Sequence, residues 1–91
     1  MMPDVKHCYI TDCYYNRENM CHAEGITIGS PTPKCDTYFK SNQHGGPAPK
    51  GHVGACRVAD CRWNREMSCN AEGINITLHG NEPDCDTYQK R

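Results

Sequence analysis

Eight cysteines in a 91-residue chain are the residues with chemistry to offer, and their spacing is duplicated. The first four run Cys8-x4-Cys13-x7-Cys21-x13-Cys35, and the second four run Cys56-x4-Cys61-x7-Cys69-x15-Cys85. Four thiolates about 2.3 Å from one tetrahedral zinc ion form a closed structural site, and a four-residue spacer lies within the range of zinc ligand pairs. One site per copy makes Cys8, Cys13, Cys21 and Cys35, then Cys56, Cys61, Cys69 and Cys85, the candidate metal ligands, with two zinc ions expected. Each loaded site carries −2, which takes the formal net charge of −1 to about −5. Such buried charge calls for backbone N–H donors to sulfur, with Arg17 and Arg65 as further candidates to offset it.

Two other chemistries use the same residues. Two disulfides per copy would staple the chain, with three pairings open in each. Iron, bound singly or as a cluster, also takes four cysteines. The start of the chain, Met1-Met2-Pro3-Asp4-Val5-Lys6, has no apolar run of the kind a secretory signal carries. A cytoplasmic location is therefore expected, where disulfides rarely persist, and zinc is the leading expectation. The histidines do not enlarge the ligand set. His7 and His22 flank cysteines of the first copy, but Ala55 and Asn70 stand at the matching positions of the second. His44, His52 and His79 fall in connecting or variable segments and are read as solvated.

The elements that must position the cysteines repeat with them. Asp12-Cys13 matches Asp60-Cys61, Asn16-Arg17-Glu18 matches Asn64-Arg65-Glu66, Ala23-Glu24-Gly25-Ile26 matches Ala71-Glu72-Gly73-Ile74, and Cys35-Asp36-Thr37-Tyr38 matches Cys85-Asp86-Thr87-Tyr88. The offset is 48 up to the third cysteine and 50 at the fourth, so a two-residue difference lies between them. It falls in the most turn-rich stretch, where length variation costs little. The reading is a first module over 1–40, a Gly/Pro-rich linker over 41–52 and a second module over 53–91. A flexible 12-residue linker spans roughly 20 Å, so contact between the modules is left open.

Each module is too short for a sizeable apolar core; chains below about 40 residues usually need a disulfide, a metal or a partner. No window has the helical apolar period. Ile26-Thr27-Ile28 and Ile74-Asn75-Ile76-Thr77-Leu78 alternate as half-buried strands do. Gly25 and Gly73 precede these strands as candidates for a bulge or positive-φ turn. Asn16 and Asn64 suggest a left-handed turn between the second and third cysteines. Thr37-Tyr38 and Thr87-Tyr88 form a shorter β-prone segment. The predicted fold class is small, metal-stapled and irregular β-rich: two tandem zinc-ribbon or knuckle-like modules with little helix, of two or three strands each.

The run Cys-x4-Cys-x-Tyr/Trp-Asn, then Cys-x-Ala-x-x-Ile-x-Ile, then Cys-x-Thr-Tyr resembles the bacterial "domain of unknown function 1540" family of small four-cysteine domains, often in tandem. Its residues here are Cys8, Cys13, Tyr15, Asn16, Cys21, Ala23, Ile26, Ile28, Cys35, Thr37 and Tyr38. In the second copy they are Cys56, Cys61, Trp63, Asn64, Cys69, Ala71, Ile74, Ile76, Cys85, Thr87 and Tyr88. Family members typically carry Phe at the positions of Tyr38 and Tyr88. The resemblance implies a metal-binding module, with some members resembling spore-associated proteins, and supplies no biochemical activity.

Function is narrowed mainly by exclusion. A closed tetrathiolate site leaves no open coordination position, and modules of this size hardly enclose a substrate cleft, so an enzyme and a small-molecule substrate are not expected. No apolar stretch reaches membrane-spanning length. Charge is balanced locally, with four basic and five acidic groups in residues 1–40 and five and six in residues 53–91. Nucleic-acid binding would rest on the cluster Arg57, Arg62, Trp63 and Arg65, since an aromatic among arginines can stack on bases and meet phosphates. The first copy places Tyr9, Tyr14, Tyr15 and Arg17 there, so the cluster is not a property of the module, and Tyr15 and Trp63 are expected to pack over the cysteines. The leading expectation is a non-enzymatic tandem metal-binding module acting as a protein-interaction or structural element, with Arg57, Arg62, Trp63, Arg65, Tyr14 and Tyr15 as its possible partner surface. Oligomeric state is left open. A disulfide-stapled secreted or spore-surface protein without metal is the other alternative. Independent modules would let Cys21→Ser unfold the first and spare the second.

Overall fold

The computed structural model describes residues 2–91. Nine short strands form, and no helix occurs among the described residues: β1 (Asp4–Cys8), β2 (Asn16–Arg17), β3 (Met20–Cys21), β4 (Ile26–Ile28), β5 (Val53–Cys56), β6 (Asn64–Arg65), β7 (Ser68–Cys69), β8 (Gly73–His79) and β9 (Glu82–Cys85). The alternating segments after each third cysteine are strands, with Ile26, Ile28, Ile74 and Ile76 buried and the intervening Thr27, Asn75 and Thr77 half-buried.

The strand pairing crosses between copies. β1 of the first copy runs parallel to β8 of the second, Val5 opposite Ile74 and Cys8 opposite Ile76. β5 of the second copy runs parallel to β4 of the first, Val53 opposite Ile26 and Cys56 opposite Ile28. Each ladder has one irregularity, between Val5 and His7 in one and between Ile26 and Thr27 in the other. The exchange is reciprocal, and residues 48 or 50 apart play the same part on either side. Val5 N–H donates to the Gly51 carbonyl (2.8 Å), and Val53 N–H to that of Pro3 (2.9 Å). Tyr9 N–H donates to Ile76 O (2.9 Å), and Arg57 N–H to Ile28 O (2.8 Å). Cys35 N–H donates to Pro83 O (2.7 Å), and Cys85 N–H to Pro33 O (2.7 Å). The two copies are thus related by an approximate twofold axis within one chain.

One core follows from this exchange. The buried apolar side chains of both copies, all eight cysteines among them, form a single cluster. Val5, Ile26, Val53, Ile74 and Ile76 are 0–2% exposed at the crossing. Each such side chain contributes about 1.5–3 kcal/mol by leaving water. A repeat taken alone would lack the partner strand that covers these side chains at the crossing, which is why two copies of so short a motif can form a core.

The connecting segment is tied down rather than flexible. Gly45 N–H donates to Tyr14 O (2.8 Å), Ala48 N–H to His22 O (3.1 Å) and Gly51 N–H to Cys21 O (2.7 Å). The His22 ring adds a hydrogen bond to the Ala48 carbonyl at 2.9 Å. Gly46 has φ +116°, and a Cβ there would stand 2.5 Å from the His22 carbonyl oxygen. Turn chemistry and sequence thus agree on a connection, but its backbone is spent on fixed contacts.

Three local expectations change. The left-handed residues of the β2–β3 and β6–β7 hairpins are Glu18 and Asn19 (φ 54° and 63°) and Glu66 and Met67 (φ 50° and 67°), not Asn16 and Asn64. Two consecutive positive φ values are what a two-residue hairpin of the type I′ class requires. Gly25 and Gly73 have no positive φ, so only the bulge half of that expectation is met: the ladder irregularities fall just after them, at Ile26–Thr27 and opposite Ile74–Asn75, and Gly73 opens β8 beneath the Lys6 stem. Thr37 and Thr87 lie in turns; their hydroxyls accept the N–H groups of Thr27 (3.0 Å) and Asn75 (3.1 Å).

Candidate metal centre

Each cysteine quartet collects at one place in its own copy. Cys8 ends β1, Cys13 follows a turn, Cys21 ends β3 and Cys35 follows the variable loop. Together with Tyr15, Asn16, Ile26, Thr37 and Ile76 they line a cavity of about 20 Å³. Cys56, Cys61, Cys69 and Cys85 line a second cavity of about 20 Å³ with Trp63, Thr87 and Tyr88. This is roughly the room one water-sized sphere or ion needs. All eight cysteines are buried free thiols. Among the described residues, no group of three or more His, Cys, Asp or Glu side chains stands in metal-holding geometry.

The sulfurs face a regular set of donors. Cys8 accepts from the backbone N–H of Ile10, Cys21 from Ala23, Cys35 from Thr37, Cys69 from Ala71, and Cys85 from Thr87 and Tyr88. In five thiols the donor therefore sits two residues ahead, an arrangement that favours thiolate over thiol. Burial works the other way and dominates. It pushes Cys35 and Cys85 up to about 12, against the backbone donors that pull down and with the neighbouring thiols that push further up. Cys35 feels Cys21, Cys8 and Cys13, so the first quartet acts on itself electrostatically as a group. Cys85 likewise feels Cys69 and Cys61.

Sequence reasoning missed the side chains that fix the first cysteine of each quartet. Asn16 and Asn64 are 4% and 7% exposed. The Asn16 amide donates to the Cys8 carbonyl (2.6 Å) and also to its sulfur. Asn64 donates to the Cys56 carbonyl at 2.8 Å. Asn16 Oδ1 in turn accepts the Asn19 N–H (3.3 Å), which ties the hairpin turn to the site. The recurrence of both residues at the same offset was the available signal. Arg17 and Arg65, the side chains suggested for offsetting site charge, are both exposed. Asp12 and Asp60 accept the hydroxyls of Tyr38 (2.9 Å) and Tyr88 (3.1 Å), tying the fourth-cysteine turn back to the second cysteine.

The second cysteine is capped differently in each copy. The His44 ring bonds the Cys13 carbonyl at 3.0 Å. Arg91 Nε donates to the Cys61 carbonyl (3.0 Å), and its Nη2 donates to the Asn64 carbonyl. His52 and His79 pair with Asp4 (3.1 Å) and Asp86 (3.3 Å), so three histidines read as merely solvated hold polar partners.

The surface residues divide. Tyr15 and Trp63 pack against the core over their cysteines, as expected. Trp63 Nε1 is buried without a hydrogen-bond partner, and Arg62 lies over the ring at 5.3 Å. Arg57, Arg62 and Arg65 are all exposed, and the contact of Arg62 with Trp63 joins two members of that cluster. Tyr14 is half-buried, edge-on to Tyr15 at 5.2 Å and 5.9 Å from Phe39.

Residues 7–44 and 55–89 each match the family described as Domain of Unknown Function (DUF1540). The chain belongs to this family, as tandem copies. No curated protein and no solved structure gives a match. Membership in DUF1540 assigns no activity. No helix among the described residues is long and apolar enough to cross a membrane.

Proposed function

We propose that each DUF1540 repeat is a structural metal centre, taking one zinc ion on its four cysteines, and that the protein is a non-enzymatic scaffold rather than a catalyst. The observation that carries this reading is the convergence of four buried thiols on one ion-sized cavity in each copy, with backbone N–H groups aimed at the sulfurs. The unpartnered Trp63 Nε1 beside the second quartet fits as well, because a tetrathiolate of charge −2 offers it an acceptor. Bound zinc would supply a closed, redox-silent crosslink; binding requires the thiols to release their protons and the sulfurs to close to about 2.3 Å. The chain's own part is to hold that ligand set. Asn16 and Asn64 orient the first cysteine, the i+2 amides stabilise thiolate charge, and Tyr15 and Trp63 exclude water.

Native mass spectrometry of the full chain, paired with metal analysis, tests this directly. Two zinc ions per chain are expected. A native mass about 8 Da below the reduced chain means four disulfides and overturns the reading, and a visible chromophore means iron. Titration with Co(II) provides a second readout, since tetrahedral thiolate coordination gives intense visible bands whereas disulfides give none.

A further inference from the structure

Residues facing each other across the internal twofold axis differ in kind. Asp4 and His52 occupy equivalent positions and meet there, with His52 Nε2 3.1 Å from Asp4 Oδ1 and Lys50 Nζ 3.7 Å from Asp4 Oδ2. Lys34 and Asp84, also equivalent, form a backbone bridge. Thr32 and Glu82 are a third such pair, with Thr32 Oγ1 donating to Glu82 Oε1 at 2.6 Å. A twofold pairing of first repeat with first repeat would bring Asp4 to Asp4 and Lys34 to Lys34. A pairing of second with second would bring Asp84 to Asp84 and Glu82 to Glu82. The backbone exchange and apolar core are blind to this choice, because Val5 and Val53, or Ile26 and Ile74, are interchangeable there. Like charges at an axis contact disfavour the wrong pairing, which is how specificity arises against an otherwise equal competitor.

We propose that the two repeats have diverged into complementary half-interfaces, so that the docking surface of one repeat selects the opposite repeat as its partner in trans, over a second copy of itself. The selection lies at the three axis pairs, and the strand exchange supplies the affinity. It rests on the pairing between copies and not on what the cysteines hold.

The test keeps the whole chain. A protease recognition sequence is inserted between Gly46 and Pro47, and the folded protein is cut there. Native mass spectrometry then distinguishes the mixed pair from pairs of like halves by mass. The expected result is a 1:1 complex of the two different halves that persists on dilution. Asp4→Lys should weaken that complex about fivefold at low salt, the effect of losing an exposed ion pair worth ~1 kcal/mol. Adding His52→Asp and Lys50→Glu should restore it. Halves that separate after the cut, folded or not, overturn the proposal, and so does redistribution into like pairs. An Asp4→Lys effect that is absent, or that the compensating changes fail to restore, also overturns it.

Discussion

The two copies agree in the interior and part company at their edges. Both bury four cysteines and an asparagine in the same places, and both run a tyrosine hydroxyl back to the aspartate before the second cysteine. After the third cysteine they differ. The first copy follows Ile28 with Gly29-Ser30-Pro31-Thr32-Pro33 and reaches Cys35 through isolated bridges. The second, two residues longer, continues β8 through His79 and returns as β9, turning at Gly80 with φ +64°. They also cap the second cysteine differently, with His44 in one and Arg91 in the other. The lesson is that one interior tolerates two peripheries when the backbone carbonyls beside the cysteines receive a donor from somewhere.

The comparison breaks most severely at the cysteines. Cys21→Ser removes one member of the first quartet, yet the shared core predicts loss of both copies, not the sparing of the second that independent modules would give. On the proposed zinc reading a site would contribute on the order of 10 kcal/mol, so losing one should unfold the whole chain in one transition. Trp63 fluorescence reports on the second copy and checks this. A native Trp63 signal in Cys21→Ser would restore the independent-module description.

Acid and base should act with opposite sign on the two states of the cysteines. In the reduced, metal-free chain, burial raises Cys35 and Cys85 to about 12 from an ordinary value of 9.0. The folded form then holds these protons more tightly than the unfolded form. The resulting stability is complete below pH 9 and is lost as pH rises toward 12. In the zinc-loaded chain protons compete with metal, so stability is lost as pH falls. Thermal unfolding between pH 5 and 11, with and without a chelator, separates the two; the same slope in both would contradict the metal reading.

Asn16→Ala and Asn64→Ala should each cost about 1–3 kcal/mol, because a buried carbonyl loses its donor. Matching losses by urea denaturation would confirm that the interior is equivalent in the two copies, whereas a loss confined to Asn16 would show that the Asn19 contact carries the effect.

The smallest effect separates the hairpin turns. Asn19 tolerates the left-handed region, whereas Met67 pays roughly 1–2 kcal/mol to occupy it. Met67→Gly should therefore stabilise the chain by about 1 kcal/mol, and Asn19→Gly should leave it nearly unchanged. Melting temperatures of the two variants would show the difference.

Much of this was legible in the chain. The duplicated cysteine spacing located both quartets, and period-two alternation placed β4 and the body of β8. Packing of Tyr15 and Trp63 over the cysteines followed from their position beside Cys13 and Cys61. The strand exchange was not legible, because Val5 and Ile74 carry apolar faces that fit an intramodule partner as well as a neighbour's. β9 was hidden by Pro83, a residue that sheets accept only at an edge. The left-handed turns were hidden because Glu66 and Met67 are poor turn formers, held there by tertiary context. The connecting segment read as flexible because Gly and Pro report backbone freedom and not the carbonyls that will capture it.

The pairing of β1 with β8 has a consequence for the order in which the protein can be made. Val5 leaves the ribosome well before its ladder partner Ile74, with the rest of the first repeat and the connecting segment made in between. Until then the first repeat has thiols without a finished interior and a strand without a neighbour. Contacts between such distant residues form late and slowly. A nascent first repeat is therefore a waiting intermediate, and the arrival of the second repeat completes both at once.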